Sequence, residues 1–161
     1  MATRRNPGFT LVELVTTVAI LFIMLAVATP VLQSTIAQRR LTSALERIAG
    51  DIRSAQSMAV REGNLHRFLT DGAGQYRLER NAGAWAAVMG WYNLSSDYRG
   101  SSLQSVRDNG GGALTNITFN SRGAVDVTTG AASYPITLTV AALSGATRTV
   151  QVLRSGVVRI P

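Results

Sequence analysis

The stretch Gly8-Phe9-Thr10-Leu11-Val12-Glu13-Leu14-Val15 opens the long apolar run of the chain. From Leu14 to Gln38 there are 25 residues without a charge, and those from Leu14 to Leu32 are mostly Leu, Val, Ile, Ala, Phe and Met. In a helix the segment Leu14 to Leu32 rises about 28 Å, close to the roughly 30 Å of hydrocarbon in a bilayer. A single membrane-spanning helix is the consequence. Arg4 and Arg5 precede it, and the positive-inside rule holds that end in the cytoplasm. Arg39 and Arg40 on the far side oppose this, but the short leader enters first, so the bulk of the chain is expected outside the cytoplasm.

Two fates compete for this segment. Ala26-Val27-Ala28 after an apolar run has the small-residue pattern of a secretory cleavage site, which would release a soluble protein starting at Thr29. Glu13 argues against it. A carboxylate at the centre of a spanning helix costs about 2.5 to 3.5 kcal/mol, somewhat less near an end, and a signal peptide gains nothing from it.

Asn6-Pro7-Gly8-Phe9-Thr10-Leu11-Val12-Glu13-Leu14 resembles the class III prepilin signal of type IV pilins and type II secretion pseudopilins. The resemblance implies that a prepilin peptidase cuts after Gly8 on the cytoplasmic side and methylates the new terminal Phe9. It divides the chain into a leader, 1–8, a transmembrane and filament-core helix, 9–37, and a periplasmic globular domain, 38–161. It also implies that Glu13 pairs with the Phe9 amine of an adjacent subunit. An unpaired carboxylate among packed apolar helices is heavily penalised and a paired one tolerated, so the pair would check axial register. Pro30 lacks an N–H and clashes with the carbonyl four residues back, which predicts a kink or local opening near Ala26.

Beyond the span, Leu41, Leu45, Ile48, Ile52, Ala55 and Ala59 recur at helical spacing, with Arg40, Arg47, Asp51 and Arg61 opposite. One helix is expected from about Phe9 to Arg61, stopped at Gly63-Asn64. Period-two alternation and glycine turns then predict strands near Leu65–Thr70, Gln75–Arg80, Trp85–Asn93, Ile117–Asn120, Tyr134–Val140, Thr147–Arg154 and Val157–Ile160. The polar stretch Ser95–Gly112 is expected to be a mobile loop. The fold class is α+β, a long helix packed on antiparallel sheet, which is the pilin fold that the leader implies. Ile117 to Gly123, Ser155 to Ile160 and the helix exit Ile52 to Asn64 are similar to segments of the GspH/FimT group. That resemblance implies a minor pilin or pseudopilin, assembled with other major and minor pilins or pseudopilins at the inner membrane and then in a pilus or pseudopilus.

Composition limits the chemistry. With no cysteine, disulfides, thiolate metal sites and cysteine nucleophiles are excluded. His66 has no ligand partner at a recognised spacing and is expected on a surface strand; no metal or cofactor is implied. Asp97, Asp108 and Asp126 lack a nucleophile elbow, phosphate loop or paired acid around them, so the chain is not read as an enzyme. Gly110-Gly111-Gly112 has no following lysine or serine to make a phosphate cradle. Trp85 and Trp91, six residues apart, are expected to pack on the helix. All 16 basic residues are arginine and the net charge is +7, a balance able to hold DNA through phosphates. Some members of the resembled family bind DNA through a C-terminal Gly-Arg-any-Arg motif; here the place is Gly156-Val157-Val158-Arg159, so only Arg159 carries over. Arg148 and Arg154 are close enough in sequence to share a patch with it, which leaves DNA binding as an alternative to a structural role.

Overall fold

The computed structural model describes residues 10–161. The leader 1–8 and the Gly8–Phe9 junction therefore lie outside the described residues. Helix α1 runs from Leu11 to Glu62 without a break, through Pro30, so the expected opening near Ala26 is not present. Two compact units are formed, Met1–Ile36 and Ala37–Pro161, and α1 contributes to both.

In the second unit, α1 buries Leu41, Ala44, Leu45, Ile48, Ala49, Ile52, Ala55 and Ala59, the stripe its periodicity predicts. Gly63, at φ 69°, ends it, where the left-handed backbone costs glycine least. Strands β1 (Leu65–Thr70), β2 (Gln75–Asn81), β3 (Trp85–Ala87) and β4 (Tyr92–Asn93) follow, then the short helix α2 (Leu94–Asp97). Next come β5 (Ser101–Arg107), β6 (Asn116–Phe119), a 3₁₀ turn at Val127–Thr129, β7 (Ile136–Ala142), β8 (Thr147–Val152) and β9 (Val158–Arg159). They build two antiparallel sheets. Sheet A has the order β3-β2-β1-β6 with β4 also on β2, and sheet B the order β5-β7-β8-β9.

Both sheets turn alternate residues inward. Phe68, Tyr76, Ile117 and Phe119 of sheet A and Leu138, Val140, Val150 and Val152 of sheet B join the α1 stripe in one core. Aliphatic residues there contribute roughly 1.5 to 3 kcal/mol each through burial. The alanines of the stripe carry little area but let sheet backbone come close to the helix. Tyr76, stacked on Phe68 at 4.7 Å, keeps its hydroxyl satisfied by donating to Asp51 Oδ2 at 2.7 Å. Asp51 therefore faces the sheet and not open solvent.

The structure corrects four further expectations. The predicted strand Trp85–Asn93 is two strands on the same edge of β2, separated by a loop in which the N–H groups of Val88 and Met89 both point at the Leu78 carbonyl. Ser95–Gly112 is not a loop: it holds most of α2, capped by Asn93 Oδ1 accepting from Ser95 N–H, and all of β5. His66 is fully buried, its Nδ1 3.2 Å from the Asn64 carbonyl and its Nε2 3.4 Å from Glu62. The tryptophans stand on the outer side of sheet A, Arg67 lying 3.9 Å over Trp85 and Arg77 4.5 Å over Trp91. Both arginines bind the buried Glu79, so an Arg–Glu–Arg set with two aromatic lids replaces the expected helix contact.

Candidate assembly surface

In the first unit every described residue is exposed, including Leu11, Phe22 and Met24, which keep 78, 68 and 64% of their surface. This stretch is long and apolar enough to cross a membrane, and none of its most apolar window is buried by the chain itself. An unpartnered apolar surface of this extent on a folded chain marks a membrane or protein contact. Its few hydroxyls are satisfied within the helix. Thr16 and Thr17 donate to the Glu13 carbonyl at 3.0 and 2.9 Å, Thr29 to Leu25, and Ser34 and Thr35 to Val31. From Thr16 onward these hydroxyls donate within the helix and need no water, as a hydrocarbon setting demands.

Glu13 lies in the first turn of α1, where its N–H donates to Thr10 Oγ1 at 3.2 Å, one half of a Thr-x-x-Glu capping box. The helix dipole favours a carboxylate here by about 0.3 to 1 kcal/mol. An acid costs about 2.5 to 3.5 kcal/mol at mid-membrane and less at a helix end such as this one, so the cap and dipole offset part of its cost. Pro30 is exposed and lies within the helix interior.

The three C-terminal arginines are exposed, and Arg148 stands apart from the other two. Gln151 and Arg159 are direct cross-strand partners, and so are Val152 and Val158. Arg159 thus takes the outward side of sheet B. Arg148 has the parity of the buried Val150 and Val152, the inward side, at the open start of β8. Arg154 lies in the turn that joins β8 to β9, past Val152, which is itself about 13 Å of strand from Arg148. Gly156 serves the fold: a side chain there would run into the Gly123 carbonyl and the Gln56 amide, which itself donates to Gly123 O at 2.8 Å.

The acids weighed for catalysis have structural partners. Asp97 accepts from Tyr92 Oη at 2.5 Å, and Asp126 caps the 3₁₀ turn through Thr128 N–H. Burial, then the hydrogen bond to Asp97, pushes the Tyr92 phenol up to about 12. Asp108 accepts from the N–H groups of Gly112 at 2.7 Å and Ala132 at 3.1 Å. Those backbone donors, Gly112 first, hold its carboxyl below the usual range although burial opposes them. Among the described residues no three His, Asp or Glu side chains gather as a metal set. The buried His66 and the Arg–Trp pairs escaped sequence reasoning because nothing in local spacing marks which side of a strand is covered.

The family model for the type II transport protein GspH matches residues 44–156, and the prokaryotic N-terminal methylation motif matches residues 3–29. The chain belongs to the GspH family. Its fold is shared with the type IV minor pilin FimU of Pseudomonas aeruginosa, at a TM-score of 0.56 and 14% identity over 77% of this chain and 90% of that one. It is shared equally with the minor pseudopilin EpsH of the Vibrio cholerae type 2 secretion system, at a TM-score of 0.56 and 13% identity over 76% and 96%. No curated sequence is significantly similar. The GspH-family chain is a minor pilin or pseudopilin, a membrane-anchored structural subunit of the kind that carries a methylation motif before an apolar helix.

Proposed function

We propose that this GspH-family subunit is cut after Gly8 by a prepilin peptidase, methylated at Phe9, and held in the inner membrane by α1 with its globular domain periplasmic. From there it enters a pseudopilus or pilus built with other pilins or pseudopilins. The observation that carries the reading is the continuity of α1: one helix is exposed throughout and mostly apolar from Leu11 to Ile36 and supplies the core stripe from Leu41 onward. A chain released at Thr29 would discard 18 of the 26 residues of that stretch. Glu13, costly in hydrocarbon, gains a reason once it meets the Phe9 amine of a neighbour. The reading assigns the chain a structural role and no catalytic step.

Intact-mass and N-terminal analysis of the membrane-extracted chain tests it. A methylated Phe9 start is expected, and Gly8→Leu should leave the full-length precursor. A mature start at Thr29 overturns the anchor. The separation of Arg148 from Arg154 and Arg159 does not favour the three-arginine patch of the DNA-binding alternative.

A further inference from the structure

Beside the first turns of α1 in the second unit lies a cavity of about 280 Å³. Arg40, Arg99, Gly100 and Leu143 line it, with Ala37 on the helix side. Three elements make this place. Arg40 belongs to α1, Arg99 to the turn before β5, and Leu143 to the hairpin joining β7 and β8. The hairpin is fixed against the turn, since Leu143 N–H donates to the Gly100 carbonyl at 2.6 Å, and it closes on itself through Ala142 N–H to Ala146 O at 2.7 Å. Its apex is an aliphatic side chain left 92% exposed. The arginines are equally uncommitted: among the described residues, neither Arg40 nor Arg99 has a carboxylate within 4.0 Å, whereas Arg47, Arg67, Arg77 and Arg80 each have one.

Position along the chain says what such a site meets. Arg39 and Arg40 are the first charges after the 25 charge-free residues Leu14 to Gln38. At 1.5 Å per residue, connectivity alone puts the Arg40 backbone about 12 Å beyond Leu32, just outside a headgroup layer of roughly 5 to 8 Å, so that its long side chain reaches the headgroups by extending back toward the bilayer. Guanidinium groups bind phosphate oxygens in pairs, each basic residue near an anionic bilayer gaining about 1 kcal/mol. An exposed leucine on a rigid turn beside them supplies apolar insertion at the same boundary. We infer that Arg40, Arg99 and the Leu143 apex form a docking site for the anionic headgroups of the bilayer that holds the subunit's own anchor. The site seats the globular domain on the membrane before assembly. This rests on the anchored reading of α1.

The absence of native cysteine makes the test direct. The full chain carrying Ser144→Cys, labelled with an environment-sensitive fluorophore, is reconstituted into vesicles of phosphatidylcholine alone or with 30% phosphatidylglycerol, roughly physiological charge. Flotation with both vesicles reports the anchor independently. The expected result is a blue-shifted, at least twofold brighter probe in the anionic vesicles, quenched by headgroup-proximal spin-labelled lipid. Arg40→Gln/Arg99→Gln should abolish the shift while still floating, and Arg61→Gln, an exposed arginine at the other end of the helix, should keep it. Inorganic phosphate should leave the probe unchanged. A probe that is the same in both vesicles, or a shift kept by the double variant or produced by free phosphate, overturns the headgroup site with the anchor intact. Failure to float in either vesicle overturns the anchor and the site together.

Discussion

At the scale of single residues, Gly156 decides whether the C-terminal hairpin can close. Its φ is 86°, and a Cβ would strike the Gly123 carbonyl, which Gln56 already holds from the helix. A left-handed non-glycine residue costs about 1 to 3 kcal/mol, and forced overpacking adds a similar amount. Gly156→Ala should therefore lower thermal stability by about 5 to 15 °C, read by circular dichroism, and an unchanged transition would show that the contact relaxes freely. Glu13 is the opposite kind of residue, exposed in the isolated chain and expensive in lipid. Glu13→Val should insert as well as the parent or better but fail to enter filaments, measured by membrane fractionation beside filament shearing. Normal incorporation would end the register argument.

At the scale of elements, the missed strand β5 shows how a local pattern can hide. Leu103 and Val106 both point inward, yet they are three apart, because the pairing with β7 shifts between Leu103 and Ser105. A bulge adds one residue and breaks the period of two by which strands are recognised. The loop after β5 is then fastened by Asp108, whose carboxylate gathers Gly112 N–H and Ala132 N–H from two separate segments. The folded chain holds this carboxyl below its unfolded value, so its contribution is complete above about pH 4, the unfolded range. It is lost as pH falls through the lower folded value. Asp108→Asn should thus lower the urea midpoint at pH 7, and the gap to the parent should narrow as pH drops toward 3. A constant gap would mean that the charge is irrelevant to these bonds.

At the scale of the whole molecule, the charge of the globular part is spread and not gathered. Residues 39–161 hold 14 arginines and 8 acids, but several of those arginines are spent on Asp51, Glu62 and Glu79. Arg148 and Arg159 face opposite sides of sheet B. A fragment beginning near Gln38 retains the whole core stripe from Leu41 and should fold as a monomer by sedimentation. Duplex DNA binding by that fragment should be weak at physiological salt, with no submicromolar complex in a fluorescence anisotropy titration. A tight, salt-sensitive complex that disappears when Arg148, Arg154 and Arg159 become Gln would revive the DNA reading.

The sequence by itself determined the parts governed by short-range rules. A charge-free apolar run, an acid five residues past a Gly-Phe junction, a helical stripe from Leu41 to Ala59 and alternation in β7 and β8 are all visible within a few residues of one another. Each depends on a period or a local cost that needs no partner. Tertiary structure alone decided the rest, where meaning depends on what covers a side chain. It buried His66 beneath the helix end, turned Trp85 and Trp91 outward under arginines, separated Arg148 from Arg159, and put Arg40, Arg99 and Leu143 around one cavity. Those residues lie far apart along the chain, and proximity between distant segments is set by sheet pairing and packing, which local periodicity does not encode.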